Sequence, residues 1–198
     1  MSTEKRKYEL KARAASQRET RDRIAKAAAE LHEEVGVAKT TVSDIARRAG
    51  VQRLTVYNHF ADLSELLPAC SAHFMSLHPQ PELSSVLAVE DPLERVRGVL
   101  EAFYPWYRES EPMTLRVQGE RATVPELEAW MAQSADVALA DLAAALAAGF
   151  GQSGERAERL KVMVSLALDF WTWRRLKAEG LDDPAAAALM TAALEPFA

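Results

Sequence analysis

The residues best suited to chemistry lie in one short run, Gln52-Arg53-Leu54-Thr55-Val56-Tyr57-Asn58-His59. Arg53 can donate a bidentate pair of hydrogen bonds to guanine, Asn58 can pair with adenine, and Leu54 can pack on a thymine methyl. Thr55, Tyr57 and His59 carry hydroxyl and imidazole donors that suit phosphate. Gln52 is long enough to reach a base. With Val56 turned inward and about 100° per residue, Leu54 and Asn58 fall outward and Thr55 and Tyr57 flank them. Each role has a plainer alternative. Tyr57 and His59 could satisfy hydrogen bonds of a core, and Leu54 could be incidental exposure.

This run needs a helix presented by a second helix, and residues 40–67 have that grammar. Thr41 precedes an apolar-periodic segment and Asp44 follows three residues later, a capping-box-like start. Ile45 and Ala49 share one face, and Ala46 is small enough for another helix to cross closely. Gly50 stands where helices end in a left-handed residue. Val56 and Phe60 then pack back at i, i+4. Two short helices joined by a tight turn form a helix-turn-helix, whose second helix enters a DNA major groove. Thr41 would set the first of these helices with its N-terminus against a phosphate.

The ordered set Thr41, Asp44, Ile45, Ala46, Ala49, Gly50, Val51, Thr55, Val56, Tyr57, His59 and Phe60, with Leu66 beyond, closely resembles the DNA-binding domain of the tetracycline-repressor (TetR) family. The resemblance covers roughly residues 16–75. Beyond that, the chain matches the family in length and helical character only. Three positions depart from the family pattern. Gln52 replaces a common Ser or Thr cap, Leu54 replaces a residue that is often small, and Leu63 replaces a lysine that often touches phosphate.

The net charge of −5 argues weakly against nucleic acid, but its distribution reverses that argument. Residues 1–60 carry 13 Lys and Arg against 8 Asp and Glu, and the remainder 11 against 21. Phosphate neutralisation is local, so a basic module on an acidic body suits DNA. Lys5, Arg6, Lys7, Lys11 and Arg13 make the first 14 residues a cationic tail, solvated or following DNA as an arm. Arg18, Arg21 and Arg23 follow, equally suited to phosphate or to solvent. The single cysteine, Cys70, excludes an internal disulfide and suits a reducing cytoplasm. It reads as buried filler, with a redox sensor as the alternative. The start MSTEKRKYEL has no apolar core, and the longest apolar run, Leu142–Phe150, is shorter than the roughly 18 residues of a membrane span. The expectation is a soluble, cytoplasmic protein with no membrane partner.

Few glycines and prolines and long Ala/Leu/Glu/Arg stretches predict an all-α chain of about nine helices. They are expected near 16–35, 42–48, 52–59, 62–77, 91–109, 112–121, 125–148, 155–179 and 184–194. Residues 16–62 would form a three-helix DNA-binding domain with the helix-turn-helix at 41–60. Residues 63–198 would form a larger helical domain, which the resemblance implies serves effector binding and dimerisation. An aromatic and methionine cluster, with Phe103, Tyr107, Met113, Trp130 and Met131, is either plain core or the lining of a pocket. The resemblance implies an effector pocket in these middle helices, whose composition here favours a flat hydrophobic or aromatic ligand. Along 155–179, Met163, Ala167, Phe170 and Trp171 belong to an apolar surface too broad for one partner. The resemblance implies that the last two helices pair with a second copy.

His73 and His78 do not share a helix face, so no metal is expected, and no cofactor. HExxH, Walker-type and Gly-x-Ser-x-Gly motifs are absent from the sequence, so no catalytic residues are assigned. Taken together these readings predict a homodimeric regulator, a repressor, that binds a pseudo-palindromic operator in double-stranded DNA and is released by an unknown small-molecule effector. The alternative is a small-molecule-binding protein or helical enzyme with a vestigial DNA-binding module.

Overall fold

The computed structural model describes residues 3–198, with side chains from Lys7 onward except Glu9. The predicted cations Lys5 and Arg6 therefore lie outside the described side chains. Among the described residues the chain is all-helical. It contains α1 (Thr3–Val35), α2 (Val42–Ala49), α3 (Arg53–His59), α4 (Leu63–Leu77), α5 (Ser84–Leu87), α6 (Pro92–Glu120), α7 (Pro125–Gln133), α8 (Ala135–Ala148), α9 (Gly154–Leu168), α10 (Phe170–Ala178) and α11 (Asp183–Ala192), with 3-10 turns at Arg121–Thr123 and Glu195–Phe197. Two compact units divide it: Met1–Leu77 with Pro112–Trp130, and His78–Glu111 with Met131–Ala198.

In the first unit α1 packs against α2 and α4, and α2 against α3. The stripe expected on α1 is buried: Ile24, Ala27, Ala28 and Leu31. Alanine at two of these positions and at the neighbouring buried Ala25 and Ala29 lets the helices approach closely. Ile45, Ala46 and Ala49 of α2, Val56 and Phe60, and Leu66, Leu67, Cys70 and Phe74 of α4 complete the core. The end of α6 joins this unit at the C-terminus of α1. Arg116 donates to the Glu34 carbonyl at 3.0 Å, and Glu120 accepts from the Ala38 amide at 2.9 Å. The intervening Gly36 has φ +92°, and a Cβ there would lie 1.9 Å from Glu120 Oε1. The positive φ asks for glycine, and a Cβ would also push the flexible Glu120 carboxylate off the Ala38 amide.

The second unit is organised by the first five turns of α6. Tyr104 and Tyr107 are buried, and their hydroxyls donate to the carbonyls of Ala167 and Leu168 at 2.8 and 2.6 Å. Those carbonyls have no helical donor because the chain breaks at Asp169, which has φ −74° and ψ 135°. Asp169 also caps α10, accepting from the Thr172 amide at 2.9 Å. Both sides of the break are thus satisfied. Beside it, Arg108 forms a two-pronged pair with Asp183 at 2.8 Å, and the fully buried Trp173 donates to the same carboxylate at 3.0 Å.

Five expectations about helix bounds need correction. Helix α1 begins at Thr3, not near Ser16, because the preceding residues are good helix formers attached to an already packed helix. A short helical turn, α5, lies between the helices expected at 62–77 and 91–109, where none was expected. The helices expected at 91–109 and 112–121 are one, α6, which runs through Pro105 and Pro112. Buried residues on both sides, Tyr104 and Tyr107 before and Met113 after, hold it together. The helix expected at 125–148 breaks at Ser134, and the one at 155–179 breaks at Asp169. Within Pro125–Ala148 an 18-residue window reaches a mean hydropathy of 1.2, long and apolar enough by length and composition alone for a membrane span. Here it is two helices, with Leu127, Ala143 and Leu146 buried in the fold.

Candidate nucleic-acid interface

Helix α2 starts at Thr41, whose hydroxyl accepts from the Asp44 amide at 3.2 Å and donates to the Asp44 carboxylate at 2.6 Å. Arg47 also donates to that carboxylate, at 2.6 Å. The Thr41 hydroxyl, ahead of Arg47, holds the Asp44 carboxyl below the usual carboxylate range. The expected cap is present, and the Thr41 hydroxyl is engaged within the chain. Gly50 ends the helix in the left-handed region at φ 66°, with its amide turned back to the Ala46 and Arg47 carbonyls. Val51 then donates to the Ala46 carbonyl at 3.0 Å. These bonds set the turn that aims α3.

Helix α3 is short, and its sides are sharply different. Val56 is 2% exposed and so is Phe60. Leu54 is 67% exposed and Tyr57 46%. Gln52, Arg53 and Asn58 are exposed, whereas Thr55 and His59 are half-buried. The two predicted flanks are therefore unequal: Tyr57 belongs with the outward face and Thr55 is half-buried at its edge. Gln52 makes no side-chain cap bond, as expected from its weak capping chemistry. The start of α4 is well capped. Asp62 accepts from the Glu65 amide at 3.2 Å, and Glu65 reaches back to the Ala61 amide at 2.9 Å.

One positioning contact escaped the sequence reading. Arg21 of α1 donates to the His59 carbonyl at 2.5 Å, and its guanidinium stacks 4.0 Å above the Phe60 ring. A cation on a C-terminal carbonyl complements the helix dipole and ties the end of α3 to α1. Its sequence separation of 38 residues left no local signal. Arg48 is likewise committed, to Glu34 at 2.6 and 2.7 Å. What remains outward on α3 is a cation, an amide, a phenol and an apolar side chain. That set can meet phosphates and base edges together.

The other candidate residues are placed as follows. Phe103, Tyr107 and Met131 lie buried in the second unit, and Met113, buried, and Trp130, half-buried, belong to the first. Phe103 and Tyr107 pack edge-on at 5.9 Å, and Tyr107 meets Phe170 at 5.6 Å. Of the predicted dimer residues, Ala167 and Phe170 are buried in their own unit, Met163 is half-buried and Trp171 is exposed. Groups of three or more His, Cys, Asp or Glu side chains able to hold a metal are absent among the described residues.

Residues 24–70 match the sequence model described as bacterial regulatory proteins, tetR family. An uncharacterised HTH-type transcriptional regulator of Pseudomonas putida, TtgW, is 44% identical over 73 residues, covering 35% of this chain and 54% of that protein. The chain thus spans about half, or less, of the length of the curated relatives it matches. A transcriptional regulator from Rhodococcus sp. Rha1 superposes with a TM-score of 0.65 at 19% identity, over 89% of this chain and 96% of that one. AibR, solved with isovaleryl coenzyme A and operator DNA, gives a TM-score of 0.58 at 22% identity, over 89% and 98%. At such identities these two structures speak for the fold. The N-terminal match gives residues 24–70 as a DNA-binding domain of the tetracycline-repressor family, and the superpositions agree with that fold.

Proposed function

We propose that this protein is a sequence-specific, DNA-binding transcription regulator, acting in the cytoplasm as a homodimeric repressor that a small molecule releases from its operator. The observation that carries the reading is the outward face of α3, where Arg53, Leu54, Tyr57 and Asn58 are exposed while Val56 and Phe60 lock the helix from behind. In this reading Arg53 pairs with guanine, Asn58 with adenine and Leu54 with a thymine methyl, each worth about 1–3 kcal/mol of discrimination. Tyr57 and the half-buried Thr55 and His59 donate to phosphates, and Gln52 extends the reach toward a base.

A single module reads one half-site, and a two-fold dimer reads a pseudo-palindrome. Exposed Val162, Leu166, Trp171 and Leu189 supply an apolar surface on the last helices that a second copy would cover. That shifts the proposed contact from buried Ala167 and Phe170 to Val162 and Leu166. The effector part is supported by AibR, whose structure holds an acyl coenzyme A with operator DNA.

The test is selection of genomic fragments by the purified protein at physiological salt, followed by sequencing. A palindromic motif that disappears with Arg53→Ala or Tyr57→Ala is the expected result. No enrichment, even at low salt and without ligand, would overturn the reading. Sedimentation of Val162→Asp/Leu166→Asp examines the dimer, with a monomer expected.

A further inference from the structure

Helix α1 outruns the module it belongs to. From Lys7 to Glu19 every described side chain is exposed except that of Ala14, which is half-buried. The buried stripe starts at Ile24. With α1 helical from Thr3, the stretch Lys7–Thr20 adds about 20 Å of rod beyond the packed part. Its composition favours helix, and the packed half has already met the cost of nucleation.

The charges on this rod have a register. At about 100° per residue, Lys7, Lys11, Arg18 and Arg21 fall within about 40° of one line, with Ala14 between them. Glu19 and Asp22 fall to one flank, outside that line. Arg21 fixes which way the line faces, because its guanidinium rests on the His59 carbonyl at the end of α3. The cationic stripe therefore begins at the C-terminal end of the proposed recognition helix and runs away from it for about 16 Å between Arg18 and Lys7. Over that distance one DNA strand presents roughly five phosphates.

We propose that the N-terminal turns of α1 are a rigid cationic arm that binds backbone phosphates of the same duplex, next to the half-site read by α3. The proposal rests on the DNA-binding reading above and extends its footprint. Lys7, Lys11 and Arg18 contact phosphate without regard to sequence, while Arg21 stays bound to His59 and sets the arm's direction.

The full chain and its Lys7→Gln/Lys11→Gln/Arg18→Gln variant are titrated with random-sequence duplexes of about 40 bp, and with a duplex enriched by the fragment selection, between 50 and 200 mM salt. Glutamine preserves helix propensity, and unchanged circular dichroism and melting check the fold. Three lost phosphate contacts should lower the salt slope by about 2.7 per bound arm, so the affinity ratio of parent to variant should drift roughly 40-fold across that range for each arm bound. Discrimination between enriched and random duplexes should be unchanged. Equal slopes for parent and variant would overturn the arm and leave the DNA-binding reading standing. A parent that binds neither duplex at low salt overturns both. Ala14→Pro keeps every charge and interrupts the rod. It should lose the part of the slope due to Lys7 and Lys11, and a full parental slope would show that the helical register plays no part.

Discussion

Replacing Tyr107 by Phe removes one oxygen atom and tests why the chain breaks at Asp169. In an unbroken helix the Leu168 carbonyl would accept from the Thr172 amide. Here that amide is taken by the Asp169 carboxylate at 2.9 Å, and the carbonyl accepts the Tyr107 hydroxyl at 2.6 Å instead. Tyr107 is 3% exposed, so water cannot substitute. Burial, reinforced by the Asp169 charge, raises its ionisation well above the ordinary phenol range, which keeps it a donor at every pH of interest. The variant leaves a buried carbonyl unsatisfied and should lose about 1–3 kcal/mol. Asp169→Ala removes a helix cap and should lose about 1 kcal/mol. In the double variant the helix is free to close through residue 169, so Leu168 recovers a helical donor. The double loss should fall short of the sum by about 0.5 kcal/mol or more. Urea unfolding followed by circular dichroism measures all three, and hydrogen exchange of the 168–173 amides shows whether the helix has closed. A Tyr107→Phe variant within about 0.5 kcal/mol of the parent would refute the account of the break.

His32 is buried, and desolvation lowers its pKa to about 4 against the opposing pull of Glu120. Between pH 6.5 and about 4 the unfolded chain binds a proton there that the folded chain refuses, so stability should fall as pH drops through that window, by up to about 3 kcal/mol, and His32→Gln should flatten the fall in urea titrations across it. Gly36→Ala should lower stability by about 1–2 kcal/mol from its φ alone, with a further loss as Glu120 is displaced from the Ala38 amide. Adding Gly36→Ala to Glu120→Ala should leave only the backbone part, measured by the same unfolding experiment.

The helix-turn-helix was legible because its signals are local and redundant. Thr41 and Asp44 name a cap, Gly50 names a left-handed turn, and Val56 with Phe60 names the inward face of α3. All three recur in the structure as read. The helix breaks were illegible for the opposite reason. Nothing in the sequence around Asp169 marks a break, since its carbonyls are satisfied by tyrosines more than 60 residues away. Conversely, Pro112 reads as a boundary, yet α6 passes through it because tertiary burial outweighs a local penalty. The same limit hid Arg21 as the residue that ties down α3. It also misjudged the broad apolar face of α9, where a stripe read from spacing could not say which residues, Ala167 or Leu166, the chain would cover itself.

Cys70 carries a consequence of another kind. It is the chain's one cysteine, 5% exposed, donating to the Leu67 carbonyl and 3.6 Å from His32, and burial pushes its thiol up to about 12. Such a sulfur is inert to alkylating reagents while α1 and α4 stay together, and becomes an ordinary thiol once they part. Its modification rate is a built-in clock for the opening of that helix pair, read by mass spectrometry with no label to install. Timed with and without DNA, the same clock tests whether the proposed contact at α3 steadies the helices behind it.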